Sequence, residues 1–246
     1  AKLTETTFLP LPDAPPGALR PEAVAALARE APGYSAALLG PGLGQNPPTV
    51  EFVESLLKWA GGQSQTAGEF PRWVIDADGL NALNHISKWW EHLPNGTVLT
   101  PHPAELGRLM GATTAAIQAD RIGQARKAAT RWGCVVVLKG ANTIVAGPDG
   151  QTFINPSANP ALASAGTGDV LSGAIAGLLA QGVEPTWAAV AGVYLHAAAG
   201  ELVRDCLGDA GALAGDLVPR LPLAINAVKR DESGDGIRNR KERAMT

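Results

Sequence analysis

Apolar positions along the chain fall into short runs, and their spacing alternates between two periods. Residues 36–39 (AALL), 73–75 (WVI), 97–99 (TVL) and 134–138 (CVVVL) are near-continuous apolar stretches of strand length. Strands apolar on both faces belong in a parallel sheet covered by helices on either side. Helical spacing separates them. Residues 49–59 carry Val50, Val53, Leu56 and Leu57 on one face, residues 81–90 predict a further helix, and two helical stretches precede residue 134. Pro21 opens a helix through Val24, Leu27 and Ala28. Residues 143–146 and 151–154 flank the turn Pro148-Asp149-Gly150 and predict a β-hairpin. Helices over 169–180, 186–203 and 213–228 follow. Residues 1–20, rich in proline, read as a loop. Residues 229–246, almost without apolar side chains, read as a charged disordered tail beyond one domain over 1–228.

The repeated order of strand, polar loop and helix predicts an α/β fold: a mostly parallel central sheet flanked by helices in three layers. Ligands of open α/β sheets bind at the carboxyl ends of the strands. The chain keeps its glycines, carboxylates, His102 and Lys139 at those ends.

Composition narrows the partners. With 46% apolar and 17% charged residues, a sizeable core is available, and a net charge of −3 gives no electrostatic case for nucleic acid or an anionic membrane. No apolar run reaches bilayer length and the first residues do not read as a signal peptide, so the expected setting is cytoplasmic. Cys134 and Cys206 lack metal-site spacing and predict buried free thiols.

The segment 165–173, AGTGDVLSG, holds the strongest chemical signal. Glycines let the backbone turn and present N–H groups, and the run behind Asp169 makes those groups a helix N-terminus, which binds anions. An ionised carboxylate in that first turn accepts the proton of an attacking hydroxyl. The same residues would also serve a plain helix cap. The segment 139–143 (KGANT) follows an apolar strand and suits a nucleotide's phosphates, or an ordinary hairpin entry. In 100–105 (TPHPAE), His102 suits a substrate amide or phosphate and Glu105 a magnesium-bound water. Pro103 spoils regular helical spacing between these two and no third ligand is near, so direct zinc binding is not expected. The loop 40–45 (GPGLGQ) suits a backbone contact with a ligand. In 76–81 (DADGLN), carboxylates and an amide gather at a strand end, one of them as a helix cap. There is no P-loop and no GxSxG elbow. His85, His92 and His196 read as background, and Trp89–Trp90 as core packing.

Taken together, GPGLG, DADGLNAL, TPHPAEL, VVLKGANTIV, NPSANPALASAGTGDVLSGAIAGLLAQG and AAVAGVYLHAAAGEL, in this order, resemble the carbohydrate-kinase-like domain of the ADP-dependent NAD(P)H-hydrate dehydratases, of the ribokinase-like superfamily. The resemblance implies that hydrated NADH or NADPH (the (S)-forms NADHX and NADPHX) is phosphorylated on its ring hydroxyl by ADP, or by ATP, and then loses phosphate. It implies Asp169 as base and Gly166, Thr167 and Gly168 as anion hole. It implies Lys139, Gly140, Ala141, Asn142, Thr143 and Gly168 on the nucleotide. Gly42, Gly44, His102, Asp78, Asn81 and Asp169 would face the hydrated dinucleotide. Glu105 takes the glutamate place of the superfamily's Asn-x-x-Glu magnesium motif, with His102 at the asparagine.

Two departures stand out. Relatives carry Asn-Pro-Thr-Gly-Asn-Pro-Gly where residues 155–161 read NPSANPA. They also open with a glycine-rich strand–loop–helix unit that has no counterpart here. The expectation is a domain short of central strands that associates with a missing N-terminal fragment or with further copies of itself. A related kinase for a small alcohol or vitamin precursor, and a non-catalytic truncated relative, remain alternatives.

Overall fold

The computed structural model describes residues 6–14, 17–63 and 71–232. Six strands form one sheet in sequential order: β3 (Ala36–Leu39), β4 (Arg72–Ile75), β5 (Val98–Leu99), β6 (Val135–Leu138), β7 (Ile144–Ala146) and β8 (Thr152–Ile154). The first four run parallel, and β6, β7 and β8 pair antiparallel through the predicted hairpin. Residues 13–14 and 18–19 form a small antiparallel ribbon, β1 (Asp13–Ala14) with β2 (Ala18–Leu19), where a loop was expected.

Alternation within the strands sorts the two cores. Trp73, Ile75, Val136, Leu138, Ile144 and Ala146 face one layer, and Val74, Val135, Val137 and Val145 the other. The first layer is built by α1 (Ala23–Glu30), α2 (Pro47–Gln63), α3 (Ala77–Leu83), α4 (Pro103–Met110), α5 (Thr114–Ala119) and α6 (Arg121–Trp132). Helices that cross over between sequential parallel strands with one hand must lie on one face of the sheet. The second layer is α7 (Thr167–Ala180) and α8 (Pro185–Leu207), which bury Leu171, Ile175, Leu179 and Val193 on the valine face. The expected three-layer α/β/α architecture is therefore present.

Four local differences have physical causes. The helix expected over 81–90 instead runs from Ala77 to Leu83, because the Asp76 side chain accepts the Ala77 N–H and starts it early. A separate 3₁₀ turn follows at 89–92, preceded by Lys88 at φ +50°, which breaks the helical path. Three helices rather than two lie between β5 and β6, since Asp120 leaves helical geometry and caps α6 through Gly123 N–H. The last helix divides into α9 (Ala214–Leu217) and α10 (Leu221–Glu232), with Pro219 in the turn between. α10 thus reaches four residues into the segment expected as tail, and 233–246 lies outside the described residues.

Trp89 is buried between Trp90 (5.6 Å between ring centres, edge-on) and Trp132 (4.8 Å), as core packing requires. Cys134 is buried as expected, but Cys206 is exposed near the end of α8. Among the described residues, β3 is paired on one side only. Leu38 in its middle is 39% exposed, and Phe8, Leu9 and Tyr34 are exposed along the adjoining apolar groove. No helix among the described residues is long and apolar enough to cross a membrane.

Candidate active site

The carboxyl ends of β4 and β6 meet beside the N-terminus of α7. Lys139, the first residue after β6, extends its Nζ to 2.6 Å from Asp76 Oδ1 at the end of β4, and to 3.9 Å from Glu105 Oε2 in α4. A Cβ built on Gly168 would lie 3.5 Å from Lys139 Nζ, so the ammonium stands against the first turn of α7. Helix-end amides and a cation thus face one volume, an arrangement that attracts anions.

That volume is a cleft of about 660 Å³, within the range of small-molecule sites. Lys139, Gly140, Ala141 and Thr143 form one wall, Thr167 and Gly168 another, and His102 and Pro103 stand at one end. Most of the expected nucleotide segment is therefore brought together. The remaining wall comes from residues that were not anticipated: Asn155, Ser157, Asn159 and Ser164, between β8 and α7. Asn142, at φ +54°, donates its N–H to Ser157 O and ties the two loops. Arg121 supports the lysine loop from behind, with contacts to the carbonyls of Leu138 (3.3 Å) and Lys139 (3.5 Å).

Asp169 lies in the first turn of α7, one residue past Gly168, and is exposed. It is not part of the wall formed by Thr167, Gly168 and Leu171. Gly166, at φ +85°, caps the N-terminus of α7 in left-handed geometry, and Thr167 Oγ1 donates to the carbonyls of Leu162 (2.7 Å) and Ser164 (2.8 Å).

His196, which reads as background in the sequence, lines the cleft. From α8 it places Nε2 2.9 Å from Thr167 O. A carbonyl accepts only, so Nε2 carries the hydrogen. Burial holds this imidazole below its ordinary value of 6.5, assisted by Lys139 and opposed by the Thr167 hydrogen bond. No sequence pattern signals it, because its partner is 29 residues away on another helix.

As expected, Pro103 keeps His102 out of the helix, in extended geometry at φ −81° and ψ 168°. Pro103 opens α4, His102 Nδ1 accepts the Ala104 and Glu105 N–H groups, and the Glu105 carboxylate accepts His102 N–H at 2.7 Å. His102 Nε2 then lies 3.4 Å from Glu105 Oε1. Burial lowers the His102 pKa from 6.5, with Lys139 and Arg108 adding to it and Glu105 opposing. Among the described residues, no cluster of three or more His, Cys, Asp or Glu side chains is arranged to hold a metal ion.

Asp78 and Asn81 are engaged within the protein. Asp78 accepts Gly44 N–H at 3.0 Å and Gln45 Nε2 at 2.8 Å, and Asn81 accepts from Arg108 at 2.8 Å. Asp78 holds the loop of Gly42 and Gly44 against α3, and Asn81 links α3 to Arg108 of α4. Asp76, fully buried, is the helix cap expected among residues 76–81, and it also meets Lys139. Its Oδ1 serves both Ala77 N–H (2.9 Å) and Lys139, and its Oδ2 has no hydrogen-bond partner.

A six-stranded, mostly parallel sheet in a three-layer α/β/α fold, with a helix N-terminus and a lysine at its strand ends, defines a ribokinase-like α/β protein. A ribokinase-like superfamily protein of Enterococcus faecalis superposes with a TM-score of 0.67 at 25% identity, over 86% of this chain and 70% of that one. More narrowly, a family model described as NAD(P)H-hydrate dehydratase matches residues 14–222, and the chain belongs to that family. It is 42% identical over 230 residues to the bifunctional NAD(P)H-hydrate repair enzyme Nnr of Moorella thermoacetica, which covers 94% of this chain and 42% of that protein. It is 48% identical over 161 residues to the ADP-dependent (S)-NAD(P)H-hydrate dehydratase of Neisseria meningitidis serogroup B (64% of this chain, 54% of that one). The ADP/ATP-dependent NAD(P)H-hydrate dehydratase of Bacillus subtilis, co-crystallised with ATP and Mg²⁺, has a TM-score of 0.68 at 33% identity, covering 79% of this chain and 65% of that one. The chain spans less than two thirds of the length of these three relatives.

Proposed function

We propose that the chain carries the ADP-dependent dehydration of (S)-NADHX and (S)-NADPHX to NADH and NADPH, with AMP and phosphate as the other products. The observation that carries this reading is the Lys139 ammonium standing against the N-terminus of α7 at the wall of a nucleotide-sized cleft. Residues 139–143 and Gly168 hold the nucleotide, as the cleft wall supports. The substrate binds near Asp169, Gly42, Gly44, His102, Asp78 and Asn81, with Asp78 bracing the glycine loop.

The chemistry follows from charge. Hydroxide leaves poorly, so the ring hydroxyl oxygen first attacks the terminal phosphorus of ADP, the bond to AMP breaks, and Asp169 takes the hydroxyl proton. The amides of 166–168 and Lys139 balance the charge that develops on the phosphoryl oxygens. The ring nitrogen lone pair then expels phosphate, and loss of the neighbouring C–H proton restores the dihydropyridine. ATP serves by the same geometry.

Magnesium fits as a cation bound chiefly through nucleotide phosphates and water, since the described residues include no cluster of three or more His, Cys, Asp or Glu to cage it. Glu105 would hold one of its waters, and the unpartnered Asp76 Oδ2 is a second free acceptor nearby. When bound, such an ion neutralises phosphate charge.

Two unpaired cysteines suit a reducing cytoplasm. The open edge of β3 and its apolar groove suit a further strand, supplied by the segment that the longer relatives carry; a monomer that buries this groove unaided would exclude it.

The deciding experiment supplies hydrated NADH and ADP and follows the return of dihydropyridine absorbance. Asp169→Asn is expected to abolish turnover and to leave ADP binding intact. Transfer of phosphate to another small alcohol, with no NADH regained, would replace this reading by that of a kinase.

A further inference from the structure

The proposed reaction requires the Lys139 ammonium at the helix end. A lysine head on four methylenes does not stay in one place unaided. Asp76 Oδ1, 2.6 Å away and fully buried, supplies the restraint. The same oxygen accepts Ala77 N–H and so starts α3, whose Asp78 holds Gly44 and Gln45. One carboxylate is thereby common to the lysine loop and, through α3, to the glycine loop.

We propose that Asp76 is a positioning residue: it fixes the Lys139 ammonium against the first turn of α7, where that ammonium meets the terminal phosphoryl group of the nucleotide. Asp76 itself touches no substrate. This rests on the nucleotide reading above and adds to it a residue that acts through Lys139.

The consequence is selective. A nucleoside diphosphate places its terminal group at the helix end, and a monophosphate does not reach it. The loss of Asp76 therefore weakens ADP and spares AMP, whereas a general loosening of the fold weakens both alike.

The test measures ADP and AMP dissociation constants by calorimetry for the full chain, Asp76→Asn, Lys139→Met and the double variant. Titrations with magnesium and with a chelator separate any contribution of Asp76 to a bound cation. Asn keeps the size of the side chain and the oxygen that accepts Ala77 N–H. The ratio of AMP to ADP dissociation constants is expected to fall about tenfold in each single variant, and no further in the double, with chelator present. An unchanged ratio in folded Asp76→Asn, or two losses that simply multiply in the double variant, overturns the positioning role and leaves the nucleotide reading standing. An unsubstituted chain that binds neither nucleotide overturns both.

Discussion

Lys139 Nζ and Asp76 Oδ1 meet at 2.6 Å across the carboxyl ends of β6 and β4, spanning β5 between them. The two partners are not equally exposed. Asp76 is fully buried, while the Lys139 side chain is 18% exposed and has Glu105 at 3.9 Å as a second carboxylate. Removal of the lysine strands a buried charge, whereas removal of the aspartate leaves an ammonium with another partner and a path to water. Lys139→Met is expected to cost about 3 kcal/mol and Asp76→Asn only about 1 kcal/mol. Urea unfolding midpoints at constant m-value decide it, and equal costs would remove the asymmetry claimed here.

His196 predicts a pH dependence of stability. Its folded pKa lies below 6.5, chiefly through burial. As pH falls below 6.5 the unfolded chain takes up a proton that the native imidazole refuses, so stability drops until the folded value is passed. His102, partly buried, acts in the same direction. His196→Gln keeps a donor for Thr167 O and removes the titration. Urea midpoints at about pH 7.5 and about pH 5.5 should fall less in this variant than in the parent chain. An identical drop in both would assign the slope to other groups.

Much of the frame was legible because it is local. The apolar stretches at 36–39, 73–75 and 134–138 all became strands, and the glycines before Asp169 did open a helix. Legibility ended where partners are distant in sequence. Asp76 looks like a helix cap, and it is one; its second role depends on Lys139, 63 residues later. His196 depends on a backbone carbonyl and leaves no pattern at all. The wall supplied by Asn155, Ser157 and Asn159 was hidden because only the hairpin fold-back of β7 and β8 brings that loop beside residues 140–143. The separate 3₁₀ turn at 89–92 begins from the left-handed backbone of Lys88, which composition does not announce.

The two cysteines should differ in reactivity by orders of magnitude. Cys134 is buried, and burial drives its thiol far above the ordinary range, so almost no thiolate forms at neutral pH. Cys206 is exposed near the end of α8, with Arg220 at 3.8 Å from its sulfur. A maleimide reagent on the native chain should label Cys206 alone, and both residues in denaturant, as read by peptide mass spectrometry. Labelling of native Cys134 would mean that the start of β6 opens readily.

The glycine loop after β3 gives the sharpest contrast between two neighbouring positions. Gly40 sits at φ +135°, and a Cβ there would stand 1.8 Å from Asp76 O and 2.8 Å from Gly79 N. Both are backbone atoms, and the Asp76 carbonyl is already bonded to Gly79 N–H at 2.9 Å in the start of α3. Neither can give way without dislodging Asp76 from Lys139. Gly42, at φ +73°, faces open space. Gly42→Ala should therefore incur only left-handed strain, about 1–2 kcal/mol, and leave the Asp76–Lys139 pair intact. Gly40→Ala should lose about 3 kcal/mol or more or fail to fold. Comparable unfolding midpoints for the two alanine variants would show that β3 and α3 are less closely apposed than this contact requires.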